Sequence, residues 1–192
     1  TSPQTGSPLD CLCISHPLSP AAESFRELRT ALLLTRPDSP PRTILITSAL
    51  LNEGKTMVAT NLATALAQAG RRVLLVDADL RRPRLHRSFA VQSAPGIGSV
   101  LAGSHTLEEV IHPGSIPGLD VIMSGPHAPN PAELLGSAAF RKFLADLEGR
   151  DYDHIVFDSS PALSVADPLI LASQLEAVIL VHCPGAADRD MV

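Results

Sequence analysis

The chain has 192 residues, of which 45% are hydrophobic, and its formal net charge is −5 at pH 7. This length and apolar content suit one compact domain with a sizeable core. No apolar run approaches the ~18 residues that a membrane-spanning helix needs. The acidic balance argues against a general nucleic-acid binder, because phosphate backbones attract basic surfaces. Three cysteines, an odd number, fit reduced thiols better than a disulfide framework.

The composition changes near the beginning of the chain. Residues 1–19 are rich in proline and serine and show no helical or strand periodicity, so they are predicted to be a linker or tail. Residues 20–192 are predicted to form one domain. Its last apolar run is followed by what reads as the beginning of a helix, and we expect the domain to continue beyond Val192.

Apolar runs of strand length alternate with helical stretches along this domain. The runs are continuous, which is typical of strands covered on both faces of a parallel sheet. Helices are predicted over 22–34, 56–69 and 137–147, and another begins at Asp167, a capping residue followed by proline. The fold class is therefore α/β, with three layers and a mainly parallel central sheet. The predicted strands cover residues 42–48, 72–79, 119–124, 154–158 and 177–183.

A candidate phosphate-binding loop joins the first strand to the next helix. Residues 49–56 follow the pattern [A/G]-x4-G-K-[S/T] in the strand–loop–helix context of a P-loop NTPase. Such a loop holds phosphates with backbone N–H groups, a helix N-terminus and a lysine, and holds Mg²⁺ with a hydroxyl. The loop has one glycine, but Asn52 is a residue type that tolerates positive φ. The predicted cofactors are ATP and Mg²⁺. The predicted ATP-binding residues are Asn52, Glu53, Gly54, Lys55, Thr56 and Met57.

Aspartates stand at the ends of two predicted strands. Asp77 and Asp79 are two residues apart and are expected to point the same way while the strand continues. Two carboxylates so close repel unless a cation compensates, which suggests Mg²⁺ nearby. Asp158 ends a later strand, where an acidic residue commonly holds Mg²⁺ through water. With the hydroxyl of Thr56, the predicted metal-binding residues are Thr56, Asp77 and Asp158.

In this order, the motifs resemble those of the bacterial tyrosine kinases of capsule and exopolysaccharide synthesis. The likeness extends from Ala21 to the end and includes the family's E-x2-R-x2-R segment at Glu23, Arg26 and Arg29. It includes the Walker A loop, a second Walker-like motif "VLLVDADLRRP" and the Walker B motif "IVFDSSP". Connecting segments such as "GIGSVLAG" and "SGPHAPNPAELLGS" also read like those of the family.

The resemblance implies an ATP- and Mg²⁺-dependent protein-tyrosine autokinase domain that regulates capsule or exopolysaccharide synthesis or export. The γ-phosphoryl group would pass to protein tyrosines, largely on a neighbouring subunit. Lys55, Asp77 and Asp79 would be catalytic, the two aspartates serving the metal and the attacking hydroxyl, and Asp158 would complete the metal shell.

The resemblance also implies partners and a location. The domains would assemble into a homo-oligomeric ring through the helix that carries Glu23, Arg26 and Arg29, with both arginines exposed. A membrane adaptor, fused or separate, would support activity at the cytoplasmic face of the bacterial inner membrane. No nucleic-acid partner is implied.

Two departures from the family keep other functions open. Leu51 and Asn52 stand where family loops usually have proline and glycine, and Tyr152, beside the Walker B strand, is the one tyrosine where the family commonly has a terminal cluster. One alternative is an ATP-binding, catalytically weak scaffold that regulates polysaccharide assembly. Another is a deviant-Walker switch ATPase that positions plasmids or division sites, although that class has a lysine where this chain has Leu50.

Overall fold

A computed structural model describes residues 11–89 and 91–183 of the chain. Residues 1–10, 90 and 184–192 lie outside the described part, and with them the helix expected after the last strand. The strands are β1 (Thr43–Ser48), β2 (Val73–Asp77), β3 (Ile111–Pro113), β4 (Leu119–Ile122), β5 (His154–Asp158) and β6 (Ala177–Val181). The helices are α1 (Leu12–Ser15), α2 (Pro20–Leu34), α3 (Lys55–Gln68), α4 (Leu85–Phe89), α5 (Ile97–Leu101), α6 (Leu107–Val110), α7 (Pro131–Leu135), α8 (Ala138–Glu148) and α9 (Asp167–Ala172).

The strands form one sheet in the order β3-β4-β2-β5-β1-β6. All neighbouring pairs are parallel except β3 and β4, which are antiparallel at one edge. This confirms the predicted mainly parallel sheet, and every predicted strand is present. The sequence did not predict β3, because it has only three residues and ends in Pro113, too little for a periodic signal.

Helices cover both faces of the sheet and complete the three predicted layers. Along β1, Leu45 packs into the core beneath α5, α6 and α8, whereas Ile44 and Ile46 pack into the core beneath α2 and α3. Neighbouring side chains of a strand point to opposite faces, so both faces need apolar residues. Phe140 and Phe143 of α8 are buried on the first side.

Strand β6 departs from the prediction that each strand is covered on both faces. Its side chains alternate in exposure, and Val178 and Leu180 are 48% and 50% exposed. It lies at an edge of the sheet, and within residues 11–89 and 91–183 one of its faces has no full cover. The sequence did not predict this exposed face, because all five residues of β6 are apolar and none alternates with a polar residue.

The described part of the predicted linker is folded, so the linker prediction is wrong for residues 11–19. Cys13 in α1 is only 1% exposed. Its backbone N–H donates to Oδ1 of Asn61 (2.8 Å), and Nε2 of Gln68 donates to its carbonyl (3.0 Å). Ser19 then caps α2 by accepting from Ala22 N at 3.1 Å. A four-residue helix held by polar groups of α3 leaves no periodic pattern in the sequence.

The described residues include no helix that is long and apolar enough to cross a membrane.

Candidate functional site

The loop between β1 and α3 has the backbone that a phosphate site requires. Gly54 precedes α3 with φ of 93°, and Asn52 has φ of 62°, the one positive value among the described non-glycine residues. Asn52 thus adopts the positive φ that its residue type was expected to tolerate. Helix α3 is 14 residues long, so its N-terminus presents unsatisfied N–H groups and a partial positive charge to the loop.

A cavity of about 340 Å³ opens above this helix terminus. Most of the predicted ATP-binding residues line it, namely Asn52, Gly54, Lys55, Thr56 and Met57. The rest of its lining comes from Leu51 and from the segment that follows β2, namely Asp79, Arg82, Arg84 and Arg87. The cavity thus extends from the phosphate loop to the segment that carries Asp79.

Lys55 is the buried cation of this cavity. Its side chain lies among the lining residues and is only 7% exposed. No ion pair or side-chain hydrogen bond of its ammonium group occurs within the described residues. A buried charge is costly unless it is paired, so this position suits the phosphates of a nucleotide.

Glu53 differs from its predicted role, because its side chain does not line the cavity. The buried carboxylate accepts from the Leu50 amide (2.6 Å), the Cys183 amide (3.2 Å) and Nδ1 of His182 (3.2 Å). Burial alone would raise the pKa of Glu53, but these hydrogen bonds outweigh it and lower the pKa below its ordinary value. The carboxylate holds the loop to the end of β6, and only the backbone of Glu53 remains available to phosphates.

Asp158 and Thr56 meet beside the cavity. Oγ1 of Thr56 donates to Oδ2 of Asp158 at 2.6 Å, while Oδ1 of Asp158 is buried without a hydrogen-bond partner in the described residues. Burial raises the pKa of Asp158 to about 7, although the hydrogen bond from Thr56 and the charge of Lys55 oppose the shift. An unsatisfied buried carboxylate oxygen next to a hydroxyl suits a hard cation.

Asp77 and Asp79 were expected to point the same way while the strand continues, but β2 ends at Asp77. Asp77 is fully buried, and its two oxygens accept from the backbone N–H groups of Asp79 (3.3 Å) and Leu85 (3.1 Å). Burial, together with the charge of Asp158, raises the pKa of Asp77 well above its ordinary value. Asp79 alone of the pair lines the cavity, and Oγ of Ser160 donates to its Oδ1 at 2.8 Å.

Magnesium fits this arrangement with few protein ligands. The described residues contain no group of three or more His, Cys, Asp or Glu side chains able to hold a metal ion. Mg²⁺ usually keeps several waters and binds through one or two protein oxygens together with substrate phosphates. The hydroxyl of Thr56 and the unsatisfied oxygen of Asp158 match that need better than Asp77, whose oxygens already accept backbone N–H groups.

Arg81, the first arginine of the motif "VLLVDADLRRP", is paired away from the cavity. Its Nε and Nη2 donate to the two oxygens of Asp167 at 2.7 and 2.9 Å. Asp167 was predicted to cap α9, but it is the first residue of that helix and makes no capping hydrogen bond. The fully buried carboxylate instead anchors the segment after β2.

The E-x2-R-x2-R residues also have partners within the chain. Arg26 donates to Glu23 (2.6 Å) and to the carbonyl of Pro17, and Nη1 of Arg29 donates to the Ala65 carbonyl (3.1 Å). Both arginines are half-buried, so the expectation that they are exposed is wrong. Their predicted role in oligomerisation remains a prediction.

Tyr152 precedes β5 and lies at the opposite end of that strand from Asp158. Its ring is 8% exposed, and its hydroxyl donates to Oδ2 of Asp120 at 2.8 Å. The guanidinium of Arg72 stacks over the ring, 5.7 Å from its centroid. Burial, with the Asp120 hydrogen bond, raises the pKa of Tyr152 above its ordinary value. The side chain is therefore buried, and it does not line the cavity.

Comparisons with known proteins identify the family. Residues 42–188 match the AAA domain family. The tyrosine-protein kinase YwqD of Bacillus subtilis is 38% identical over 179 residues, which cover 93% of this chain and 75% of that protein. The chain belongs to the bacterial tyrosine-kinase family. This confirms the family resemblance and the enzyme class of tyrosine kinase.

Solved structures agree with this kinase assignment. The kinase domain of the Escherichia coli tyrosine kinase Etk has a TM-score of 0.89 and 34% identity, over 94% of this chain and 70% of that one. The septum site-determining protein MinD of Pyrococcus horikoshii, complexed with Mg-ADP, reaches a TM-score of 0.61 and 29% identity over 73% of this chain and 57% of that one. The chain therefore has a nucleotide-binding P-loop fold, and it is more similar to the kinase than to the division-site protein. Other curated tyrosine-protein kinases are much longer, and the chain spans only 22% or 23% of their length.

Proposed function

We propose that this domain transfers the γ-phosphoryl group of ATP to protein tyrosines, with Mg²⁺, and thereby regulates capsule or exopolysaccharide synthesis or export. The observation that carries the proposal is the Thr56–Asp158 hydrogen bond of 2.6 Å beside the buried ammonium of Lys55, which has no ion-pair partner among residues 11–89 and 91–183. Thr56, Asp158 and Lys55 together place a hydroxyl, an unsatisfied carboxylate oxygen and a cation at one helix N-terminus. This is the set of groups that binding of a magnesium-bound triphosphate requires.

Each residue then has a defined task. Lys55 and the first backbone N–H groups of α3 bind the phosphates and stabilise charge that develops on them during transfer. Thr56 and Asp158 would hold Mg²⁺, which neutralises phosphate charge when bound. Asp79, which lines the cavity, orients the attacking tyrosine hydroxyl and accepts its proton. Asp77 acts indirectly, because it fixes the backbone of the segment that carries Asp79.

The proposed acceptor tyrosine lies outside this sequence, whose one tyrosine is Tyr152. Tyr152 is buried, its hydroxyl is bonded to Asp120, and it lies at the far end of β5 from Asp158. Transfer to a neighbouring subunit accords with this arrangement. We include in the proposal a homo-oligomeric ring built through the helix of Glu23, Arg26 and Arg29.

A membrane adaptor, fused or separate, completes the proposed system, at the cytoplasmic face of the bacterial inner membrane. Support comes from the much longer curated kinases, of which this chain spans less than a quarter. Further support comes from a relative named as a putative tyrosine-protein kinase in the cps region of Klebsiella pneumoniae.

One alternative function is supported by a specific observation. The pKa of Asp158, raised to about 7 by burial, together with a loop that has one glycine, would suit an ATP-binding scaffold with weak catalysis. Incubation with labelled ATP, Mg²⁺ and a tyrosine peptide separates the functions. Phosphotyrosine supports the kinase, nucleotide binding without any product supports the scaffold, and release of phosphate alone supports a switch ATPase.

A further inference from the structure

Three arginines of one short segment surround the outer part of the nucleotide cavity. Arg82, Arg84 and Arg87 follow β2, all line the cavity with Lys55, and all are exposed. We call these three residues the arginine rim. The neighbouring Arg81 does not belong to it, because its guanidinium is paired with both oxygens of Asp167.

The rim has little to neutralise it. Nη2 of Arg84 donates to Oδ1 of Asn52 at 3.1 Å, which ties the rim to the phosphate loop. In the described parts of the chain, the guanidinium groups of Arg82 and Arg87 have neither an ion-pair partner nor a hydrogen-bond acceptor. Asp79 is the one carboxylate among the residues that line the cavity, and its Oδ1 already accepts from Ser160 and from the Arg82 amide (3.0 Å).

Nucleotide phosphates do not account for this charge. The buried Lys55 and the N-terminus of α3 already face the position that we propose for the phosphates. The exposed guanidiniums of Arg82 and Arg87 lie on the solvent side of the same cavity, which is the side from which an acceptor must approach. In a chain with a net charge of −5, such a local excess of positive charge favours an anionic partner.

We infer that the arginine rim binds acidic side chains next to the acceptor tyrosine, so that the domain selects tyrosines in acidic peptide segments. The inference rests on the proposed function, since it assigns the acceptor side of the same cavity. Guanidinium groups bind carboxylates in bidentate geometry. A peptide is favoured over a nucleic acid because the rim is small and the overall charge of the chain repels a long polyanion.

Two peptides of equal length test this selection. One has glutamates on both sides of a single tyrosine, and the other has glutamines at those positions. For the wild type, kcat/KM on the acidic peptide should exceed that on the neutral one about three- to tenfold, because the ion pairs gained are exposed and each of them is weak. In R82A/R87A the ratio should fall to about one. In the control R36A/R141A, which removes two exposed arginines outside the cavity, the wild-type ratio should persist.

Any of three kinetic results would overturn the assignment. The first is equal rates on both peptides in the wild type, and the second is an undiminished preference in R82A/R87A. The third is a rise in the KM for ATP in that variant with the preference intact. Fluorescence anisotropy with phenylalanine in place of the tyrosine separates this inference from the kinase proposal, because it requires no transfer. Tighter binding of the acidic peptide that R82A/R87A abolishes supports the rim even in an inactive protein. Tighter rim-dependent binding of a single-stranded oligonucleotide than of the acidic peptide would refute the peptide assignment.

Discussion

Oγ1 of Thr56 donates a 2.6 Å hydrogen bond to Oδ2 of Asp158, which joins the first turn of α3 to the carboxyl end of β5. The two residues are 102 positions apart in the sequence. Asp158 is also the register partner of Asp77 on the neighbouring strand. The phosphate loop and both aspartate motifs are therefore connected at the carboxyl ends of neighbouring parallel strands.

Replacing Lys55 by methionine should lower kcat for tyrosine phosphorylation about 100-fold or more, because a charge that stabilises the transferring phosphoryl group is lost. Methionine suits the buried position, so the melting temperature should not fall. Labelled phosphate transfer and circular dichroism measure the two effects. Lys142→Met is the matched control, since the chain has only these two lysines and Lys142 is exposed and paired with Asp146. Comparable activity in both variants would remove Lys55 from the mechanism.

Asp158→Asn should stabilise the nucleotide-free protein, increasingly so as pH rises from about 4 to about 7. The pKa of Asp158 is about 7 in the fold and about 3.9 in the unfolded chain. The unfolded state therefore ionises first, and the stability that protonated Asp158 contributes is full below pH 4 and lost as pH rises through 7. Urea denaturation of both proteins without Mg²⁺ across this range measures the difference. Asp146→Asn, at an exposed position, should show a much smaller change. If the unfolding free energies of Asp158→Asn and wild type changed with pH in parallel, the raised pKa of Asp158 would be disproved.

Arg42→Ala should destabilise the domain by about 2–3 kcal/mol, since a charged donor and its several hydrogen bonds are lost at once. Its guanidinium donates to four backbone carbonyls, those of Leu147 (3.0 Å), Glu148 (3.1 Å), Arg150 (2.7 Å) and Tyr152 (3.1 Å). Urea midpoints measure the loss. Arg141→Ala removes one exposed bond to the Gly136 carbonyl and should cost much less. Equal midpoints for the two variants would contradict a stabilising role for these four hydrogen bonds of Arg42.

Sequence reasoning identified the parts of this molecule that depend on neighbouring residues in the chain. The phosphate loop, the five longer strands and Asp158 all follow from short patterns, because local spacing fixes a strand end or a helix start. The Arg81–Asp167 pair spans 86 positions and the Arg42 contacts span more than 100, so their formation depends on tertiary packing. The same reason explains why the sequence did not predict the contacts of Glu53, whose partner His182 directly follows β6.

Tyr152→Phe should leave phosphorylation of an external tyrosine peptide at the wild-type level, because the buried hydroxyl does not reach the cavity. It should lower stability by about 1 kcal/mol, the loss of one hydrogen bond to Asp120. Peptide kinetics and thermal melts measure the two quantities, and mass spectrometry of folded wild-type protein should find no phosphate on Tyr152. Phosphorylation of Tyr152 in the folded protein would show that the described fold does not represent the active form.

Replacing Arg26 and Arg29 together by alanine should reduce the molar mass measured by light scattering, if the helix of these residues builds the proposed ring. The variant also loses contacts to the Pro17 and Ala65 carbonyls, so circular dichroism must show that it is folded. Arg36→Ala, just beyond the end of α2, is the control and should keep the wild-type mass. If the double variant is folded and its molar mass is unchanged, Arg26 and Arg29 do not build the oligomer and their contacts serve only the fold of the chain.

The central claim is that a magnesium-bound triphosphate binds where β1 turns into α3. A crystal structure of the chain with Mg²⁺ and a non-hydrolysable ATP analogue tests it most directly. The account predicts phosphates at the amides of Gly54 to Thr56, in contact with Lys55, and the cation beside the Thr56 hydroxyl with Asp158 behind it. Phosphates bound elsewhere, or a saturating analogue that leaves this helix terminus unoccupied, would contradict the account.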